Sequence, residues 1–392
     1  MFTDEPHTGL VAQTVTARDA LEPLAGEWDE LAVASDRPQM APSFVLAWWR
    51  HVAPPGAQPR LVTVREDGRL VGIAPFYVEP SARRARIDYR LPGIELCGGM
   101  SPLAIPGREW EVAASVGAAL ADATPRPHLV ALEGLPTDTP WATALHDRWP
   151  GSRRPTLRQY HVHGCPVVTL REPSFDAWLA GKSSNFRGQM RRLRRQFEAA
   201  GGTSRLTTDA TLERDVATFV RLHTERWDGR GSSNLVQLGE RLPAFLHDIG
   251  RTLLPAERFR LRMLELDGEA ISAQLFLAAG QTVVYLNGGW DERHAKLKPS
   301  MLGLLDTVET TFAQGEQRLD LGPGEQAYKQ RFADGNHPVG WNILVPPGHR
   351  RALTRAHTAP MLARYALRDV AKRTLTDEQA KRLRTLRTRL SA

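Results

Sequence analysis

The 392-residue chain has little cysteine and no long apolar run, and each shortage excludes a class of protein. Its two cysteines, Cys97 and Cys165, lie far apart, so they build neither a disulfide framework nor a Cys-x-x-Cys metal knuckle. The N-terminal stretch MFTDEPHTGLVAQTV lacks the basic start and apolar core of a signal peptide, and no apolar run is long enough for a membrane helix. We therefore expect a cytoplasmic protein with no membrane span and no metal site.

Net positive charge is concentrated at the C-terminal end of the chain. The formal net charge is +7, but residues 350–392 hold twelve Lys/Arg against three Asp/Glu, a local balance of +9, which leaves about −2 for the rest. A basic overall composition is therefore weak evidence that the main fold binds nucleic acid. The tail stretch MLARYALRDVAKRTL predicts an amphipathic helix, which either packs on the body or touches anionic lipid or nucleic acid.

Two stretches repeat one pattern at a spacing of 200 residues. TVREDGRLVGIAPFYV (63–78) and RMLELDGEAISAQLFLA (262–278) both predict a strand, an Asp-Gly turn and a second strand. Asp-Gly between apolar runs favours a type I′ hairpin turn, which needs φ > 0 at both central residues. A helix-like stretch precedes each hairpin, at 44–52 and 242–250. The echo predicts two copies of one α/β unit.

Helix and strand patterns alternate along the chain, which predicts an α/β or α+β fold with mixed sheets. The predicted helices lie at 109–122, 140–148, 183–202, 211–227, 241–253 and 299–314, and the further strands at 128–135, 158–170, 282–289, 317–321 and 340–346. We predict an N-terminal domain over 1–172, a C-terminal domain over 173–349 and a basic helical tail over 350–392.

The C-terminal domain opens with an arginine-rich helix, SSNFRGQMRRLRRQFEAAGG (183–202). Apolar residues recur on one face, while the opposite face carries the arginines. Such a face is most often simply solvated, but an anionic substrate or a tRNA phosphate are alternatives. The apolar residues are Phe186, Met190, Leu193 and Phe197, and the arginines are Arg187, Arg191, Arg194 and Arg195.

An anion site is predicted where KLKPSMLG leads into the helix from Pro299. A helix N-terminus presents free N–H groups, and Lys296 and Lys298 add positive charge just before it. The later LDLGPGEQAYKQRF (319–332) is not a phosphate loop, because Pro323 lacks an N–H and no Lys-Ser/Thr follows. Its glycines are expected to shape the chain.

Several stretches resemble the CelD-like acetyltransferase family of the GNAT superfamily, which is related to the FemABX peptidyltransferases. They are SSNFRGQMRRLRRQFEAAGG, LHTERWDGRG, LDGEAISAQLFLAAGQTVVYLNGGWD, KPSMLGLLDTVETTFAQG and LDLGPGEQAYKQRF. The resemblance implies tandem GNAT-like domains with mixed, mostly antiparallel sheets flanked by helices. The usual pyrophosphate loop, Gln/Arg-x-x-Gly-x-Gly/Ala, is replaced here by KLKPSMLG.

The resemblance also implies direct attack of an amine on a thioester, with acyl-CoA as the expected donor. Backbone N–H groups within Leu286–Gly288 would stabilise the oxyanion, and Lys298, Ser300 and Gly303 would hold the donor. Lys329 would steady developing charge or an anionic substrate, in a stretch that resembles an aromatic-Lys-x-x-Phe segment of FemABX enzymes. A base would come from Asp320, Tyr328 or Glu325.

The acceptor is expected to be an amine, either a small molecule or a cell-envelope precursor, held by Arg187, Arg191, Trp227, Arg230 and Glu325. Three of these assignments have a plain structural alternative: Lys329 as a surface lysine, Asp320 as a strand cap and Trp227 as packing. His161, His163 and Cys165 share a strand, but a fourth zinc ligand is missing. Two other functions stay open, an aminoacyl-tRNA-dependent peptidyltransferase and a non-catalytic polysaccharide-biosynthesis accessory. The peptidyltransferase would use tRNA as its partner, and the N-acyltransferase could use an acyl-carrier protein in place of acyl-CoA.

Overall fold

A computed structural model describes residues 9–79, 86–227, 233, 235–324 and 326–374, without the side chains of 369 and 371–374. The strands are β1 (Leu10–Val15), β2 (Gln58–Glu66), β3 (Arg69–Val78), β4 (Asp88–Arg90), β5 (Leu103–Ala104), β6 (Leu129–Pro136), β7 (Thr156–His163), β8 (Pro166–Thr169), β9 (Thr203–Leu206), β10 (Phe259–Leu266), β11 (Glu269–Ala279), β12 (Thr282–Trp290), β13 (Arg318–Asp320), β14 (Gly335–Asn336) and β15 (Val339–Val345).

The helices cover the faces of the sheets. They are α1 (Ala25–Ala34), α2 (Pro42–His51), α3 (Glu109–Asp122), α4 (Trp141–Asp147), α5 (Phe175–Gly181), α6 (Ser184–Ala199), α7 (Leu212–Trp227), α8 (Arg241–Leu253), α9 (Pro299–Ala313), α10 (Ala327–Phe332) and α11 (Arg351–Thr374). The short α10 falls between the predicted strands 317–321 and 340–346, in a stretch to which the sequence patterns assign neither helix nor strand.

The described strands form two mostly antiparallel sheets with the same design. The first sheet has the order β1-β2-β3-β4-β6-β15-β7, with β5 paired to β3, and the second has β9-β10-β11-β12-β13-β8-β14. In each sheet one neighbouring pair is parallel, β4 with β6 and β12 with β13, and the other pairs are antiparallel. The mixed α/β class predicted from the sequence is confirmed.

The repeated hairpins occupy equivalent positions in the two sheets. Asp67 and Gly68 have φ of 48° and 83°, and Asp267 and Gly268 have 52° and 80°, as a type I′ turn requires. Each hairpin also carries a bulge at the same place, after Val64 in the first and after Leu264 in the second. The 200-residue echo therefore reflects one supersecondary unit formed twice.

The two sheets exchange strands. β8 follows β7 directly in the chain but lies in the second sheet, whereas β15 follows the second sheet in the chain and lies in the first. Neither 1–172 nor 173–349 therefore holds a complete sheet, and these domain boundaries stay a prediction. Helices α2 and α8 also pack across the junction, with the rings of Phe44 and Phe245 5.4 Å apart.

Amphipathic helices close the core as their sequences predict. In α6 the stripe Phe186, Met190, Leu193 and Phe197 is buried, and the hydroxyl of Ser183 accepts a hydrogen bond from the Phe186 N–H at its start. Helix α11 lies on the first sheet, where the Tyr365 ring is 5.0 Å from that of Tyr160. The described part of the predicted tail thus packs on the body, and 375–392 lies outside the described residues.

Candidate active site

A cleft of about 410 Å³ lies where β12 and β13 separate. The last paired residues of these parallel strands are Val284 and Asp320, after which β12 continues to Trp290. Three further segments close the cleft: the loop 94–99 of the first unit, the 320–324 loop, and the His163 and Trp341 side chains of the first sheet. Strand ends of this kind present backbone groups and side chains to a ligand.

Two cavities of comparable size, about 500 and 420 Å³, lie on either side of α11 on the first sheet. They are distant in the fold from the predicted site residues. We place the candidate site in the β12–β13 cleft because Leu286 and Asp320, both predicted from the sequence, line it.

Strand β12 is bulged at the cleft. Its register against β11 shifts between Tyr285 and Asn287, so Leu286 is an extra residue with no partner on β11. The Gly288 N–H donates to Oδ1 of Asn287 at 2.9 Å. Of the predicted oxyanion donors, Gly288 is therefore engaged within the protein, and Leu286 stands at the bulge.

Asp320 is a half-buried carboxylate at the end of β13, on the cleft wall. Its Oδ1 accepts the Gly322 N–H at 2.7 Å. Burial raises the pKa of Asp320, while the Gly322 N–H and the charges of Arg318, His337 and Lys329 oppose that rise. A carboxylate whose pKa is raised is a stronger proton acceptor than a solvated one.

The Gly-Pro-Gly segment turns the chain beneath Asp320. Gly322 and Gly324 have φ of +71° and +124°, in the range that favours glycine. A Cβ at Gly322 would lie 3.0 Å from the Tyr285 carbonyl, which shows how closely the loop passes β12. The prediction that these glycines shape the loop is confirmed.

Lys329 is buried, with 4% of its surface exposed, so the surface-lysine alternative is wrong. Its Nζ donates to the Pro323 carbonyl at 3.4 Å and lies 5.3 Å from the Tyr285 ring centroid. Burial lowers the pKa of Lys329 to about 8, although Asp320 raises it. Lys329 stands behind the wall of the cleft, next to Asp320 and the 320–324 loop.

Tyr328 is also placed behind that wall. Its hydroxyl is hydrogen-bonded to that of Tyr285, and burial raises the pKa of Tyr328 to about 12. A phenol with so high a pKa stays protonated near neutral pH, which favours a donor over the predicted base.

The predicted donor residues cluster at the start of α9. Lys298 is its exposed N-cap residue with φ of 50°, and Ser300 lies in the first turn. Gly303 faces the sheet, since a Cβ there would lie 2.1 Å from Oε1 of Gln274. Lys298 and Ser300 thus stand at a free helix end, whereas the structure explains Gly303 by packing.

The predicted acceptor residues do not form one group. Arg187 donates to the Ala180 carbonyl at 2.9 Å, Arg191 is exposed on α6, and Trp227 donates to the Gly288 carbonyl at 3.0 Å. Arg194 is paired with Asp306 and Glu309, at 2.9 and 2.7 Å. Arg230 and Glu325 lie outside the described residues.

Several lining residues were missed by sequence reasoning. Cys97 and Gly98 come from the first unit, and a Cβ at Gly98 would lie 3.1 Å from Pro323. Ser233 and Asn287 face the cleft from the second unit, with His223 behind them. The LHTERW stretch that contains His223 is one of those that resemble the CelD-like family, but only the tertiary fold brings it against β12.

Within the described ranges, no group of three or more His, Cys, Asp or Glu side chains is arranged to hold a metal ion. In the same ranges no helix is long and apolar enough to cross a membrane.

Comparison with known proteins supports an acyltransferase fold. The family described as an acetyltransferase (GNAT) domain matches residues 184–330, which include α6, α9, β12 and the 320–324 loop. No curated protein matches the chain by sequence.

Two solved structures share the fold over most of the chain. One is FemX, at 10% identity and a TM-score of 0.57, covering 88% of this chain and 99% of FemX. The other is the C-terminal domain of a putative lysylphosphatidylglycerol synthetase from Agrobacterium fabrum, at 11% identity and a TM-score of 0.52, covering 86% and 97%. At these identities the likeness concerns the fold alone. The segment 184–330 is thus similar to a GNAT-type acetyltransferase domain, within a fold shared with FemX.

Proposed function

We propose that the protein is an N-acyltransferase of the CelD-like type, which transfers an acyl group from acyl-CoA to an amine by direct attack. The observation that carries this is the cleft between β12 and β13, lined by the Leu286 bulge on one strand and the Asp320 carboxylate on the other. Both β12 and β13 lie within the segment that matches the GNAT acetyltransferase family.

The donor would enter along α9. Lys298 and the Ser300 N–H would bind its phosphates, since Pro299 has no N–H and the Met301 N–H donates to the Lys298 carbonyl. A helix end with an adjacent cation favours an anion by about 1–2 kcal/mol. The thioester carbonyl would lie against the Leu286 bulge, where a backbone N–H would stabilise the oxyanion. Gly288, whose N–H is already engaged, would support the bulge.

The acceptor amine would meet the thioester from the Asp320 side. At neutral pH most amines are ammonium ions, and the Asp320 carboxylate would attract the ammonium and take its first proton. Lys329, behind Asp320, would hold the 320–324 loop and the local charge. Because Lys329 does not face the cleft, we assign it a positioning role, with Tyr328 as its neighbour.

Turnover of acetyl-CoA tests this proposal. Release of free thiol from acetyl-CoA, dependent on an added amine from a panel of amino sugars, amino acids and polyamines, is the expected result. Native mass spectrometry of the freshly purified protein would detect a retained CoA. A protein that neither binds CoA nor releases thiol with any amine would contradict the proposal.

An aminoacyl-tRNA-dependent transferase is the second candidate. The shared fold with FemX favours it, and Arg191, Arg192 and Arg195 form an exposed basic face on α6. Binding through so few cations would weaken with salt, with a log–log slope of about −2 to −3. Retention of tRNA at low salt with this slope would support the second candidate. No retention would leave the acyl-CoA proposal alone.

A further inference from the structure

A buried histidine stands directly behind the cleft. His223 on α7 is fully buried, its Nε2 lies 2.8 Å from the Ser233 Oγ, and its Nδ1 lies 3.2 Å from the Gly288 carbonyl. Asn287 completes the group, with its Nδ2 3.2 Å from the same Ser233 Oγ. Ser233 and Asn287 line the cleft, and His223 does not.

The backbone of Gly288 fixes where the protons of this group lie. Its carbonyl only accepts, so Nδ1 of His223 must carry the proton and Nε2 must be the free acceptor. Its N–H only donates, so the Asn287 Oδ1 faces it and Nδ2 faces Ser233. Ser233 therefore accepts from Asn287 and donates its own proton to Nε2 of His223.

Among the described residues, these two hydrogen bonds leave one lone pair of the Ser233 Oγ unused, since a hydroxyl has one proton and two lone pairs. Ser233 is part of the cleft wall, on the side of β12, near the Leu286 bulge. The group thus presents a proton acceptor to the cleft, backed by an imidazole nitrogen. Burial lowers the pKa of His223, which keeps the imidazole neutral and able to accept.

We propose that Ser233 and His223 form a proton relay that takes the second proton from the attacking amine. This proposal rests on the N-acyltransferase function proposed above. When the amine nitrogen bonds to the thioester carbon, that nitrogen becomes cationic and must lose a proton. The proton passes to the Ser233 Oγ while the Ser233 proton passes to Nε2 of His223. When the C–S bond breaks, the proton returns by the same path to the thiolate.

The relay and Asp320 therefore have separate tasks. Asp320 removes a proton from the ammonium ion, which turns it into the nucleophilic amine. The Ser233–His223 relay removes the second proton, which becomes acidic once the nitrogen has attacked the thioester carbon. The sum leaves an amide, a free thiol and one proton on Asp320 for release to solvent. Ser233 is the catalytic residue of the relay, and Asn287 is a positioning residue that orients its hydroxyl.

Ser233→Ala tests the relay, because it removes the hydroxyl and leaves the buried His223 in place. With acetyl-CoA as donor and ethylamine as acceptor, we expect kcat to fall roughly a hundredfold with KM for acetyl-CoA unchanged. Ser233→Thr keeps a hydroxyl and should restore most of that loss. Ser115→Ala, at a half-buried helical serine far from the cleft, is the matched control and should have no effect.

Hydroxylamine as acceptor separates a relay from a structural role. Its nitrogen gives up the second proton to water readily after attack, so the Ser233→Ala deficit should shrink to a few-fold. An equal deficit with both acceptors, or none, would overturn the relay, as would an acyl adduct on Ser233 in the intact mass. If the unaltered protein transfers acetyl to neither acceptor, nor to any amine of the panel above, the N-acyltransferase proposal itself fails.

Discussion

The two parallel strand pairs of this protein are built alike and end differently. In the first sheet β4 and β6 part after Arg90 and Ala131, and in the second β12 and β13 part after Val284 and Asp320. The first gap is filled at its end by the chain itself, because the Gly99 N–H donates to the Gly134 carbonyl at 2.9 Å. The cavity that Arg90 and Ala131 line lies on the face of the sheet beneath α11. The second gap opens into the cleft.

The helices beside the two gaps differ in the charge at their N-termini. Helix α3, which follows the filled gap, begins with Glu109 and Glu111, whereas α9, beside the open gap, begins after Lys296 and Lys298. An acidic first turn disfavours a phosphate and a basic approach favours it. Under the proposed function, a donor site is therefore expected in the second copy of the unit only.

Asp320→Asn is expected to have the largest effect. The first sheet has Ala131 at the equivalent position, so the fold does not need a carboxylate there. Loss of the base should lower kcat/KM for the acceptor about a thousandfold. The check is thiol release from acetyl-CoA with an amine acceptor. Glu133→Gln, in the first sheet, is the control, and an equal loss in both variants would break the comparison.

Burial of Lys329, in the second unit, predicts that the free energy of unfolding depends on pH. Its pKa falls from 10.5 in the unfolded chain to about 8 in the fold, so the native state binds fewer protons between these values. The free energy of unfolding should therefore rise by about 2–3 kcal/mol as the pH increases from 7 towards 10, and should fall by the same amount when the pH is brought back to 7. Urea unfolding of the wild type and Lys329→Met at both pH values measures it. A parallel pH response in the two proteins would contradict the burial argument.

Lys298→Glu should raise the apparent KM for acetyl-CoA about tenfold, because it replaces attraction at the start of α9 by repulsion. Steady-state kinetics at constant ionic strength provide the measurement. Glu109→Lys gives the first unit a basic helix start and should leave this KM unchanged, since that gap is filled. An unchanged KM in Lys298→Glu would place the donor phosphates elsewhere.

Opening the filled gap should have the smallest effect. The Ile94 side chain packs against Gly134, where a Cβ would lie 2.1 Å from its Cδ1. Ile94→Ala should cost about 1 kcal/mol of stability, since Ile94 is only half-buried. Because Ile94 also lines the β12–β13 cleft, the measurement is the number of acetyl-CoA molecules bound per chain and not their affinity. Titration calorimetry should still give one. A second bound donor would show that packing alone, and not charge, distinguishes the two copies.

Much of the fold was readable from local patterns. The type I′ hairpins follow from Asp-Gly between apolar runs, and the buried stripe of α6 follows from its helical spacing, since both depend on residues close in sequence. The exchange of β8 and β15 could not be read in this way. Long-range packing determines which strands pair in a sheet, and the apolar pattern of one strand does not identify the strand that pairs with it.

The candidate site also combines features that follow from the local sequence with features that depend on tertiary packing. The sequence alone determined that 319–332 turns rather than binds phosphate, that α9 starts at a basic segment, and that Asp320 and Lys329 are near each other, because chain connectivity fixes these facts. The tertiary structure decided that Lys329 is buried behind Asp320 and that Arg194 is paired with acids. It also brought Ser233 and Asn287 to one wall, with His223 behind them, and the 94–99 loop to the other. Burial and the meeting of distant segments exist only once the chain has packed, and they set both the pKa values and the proton positions of the site.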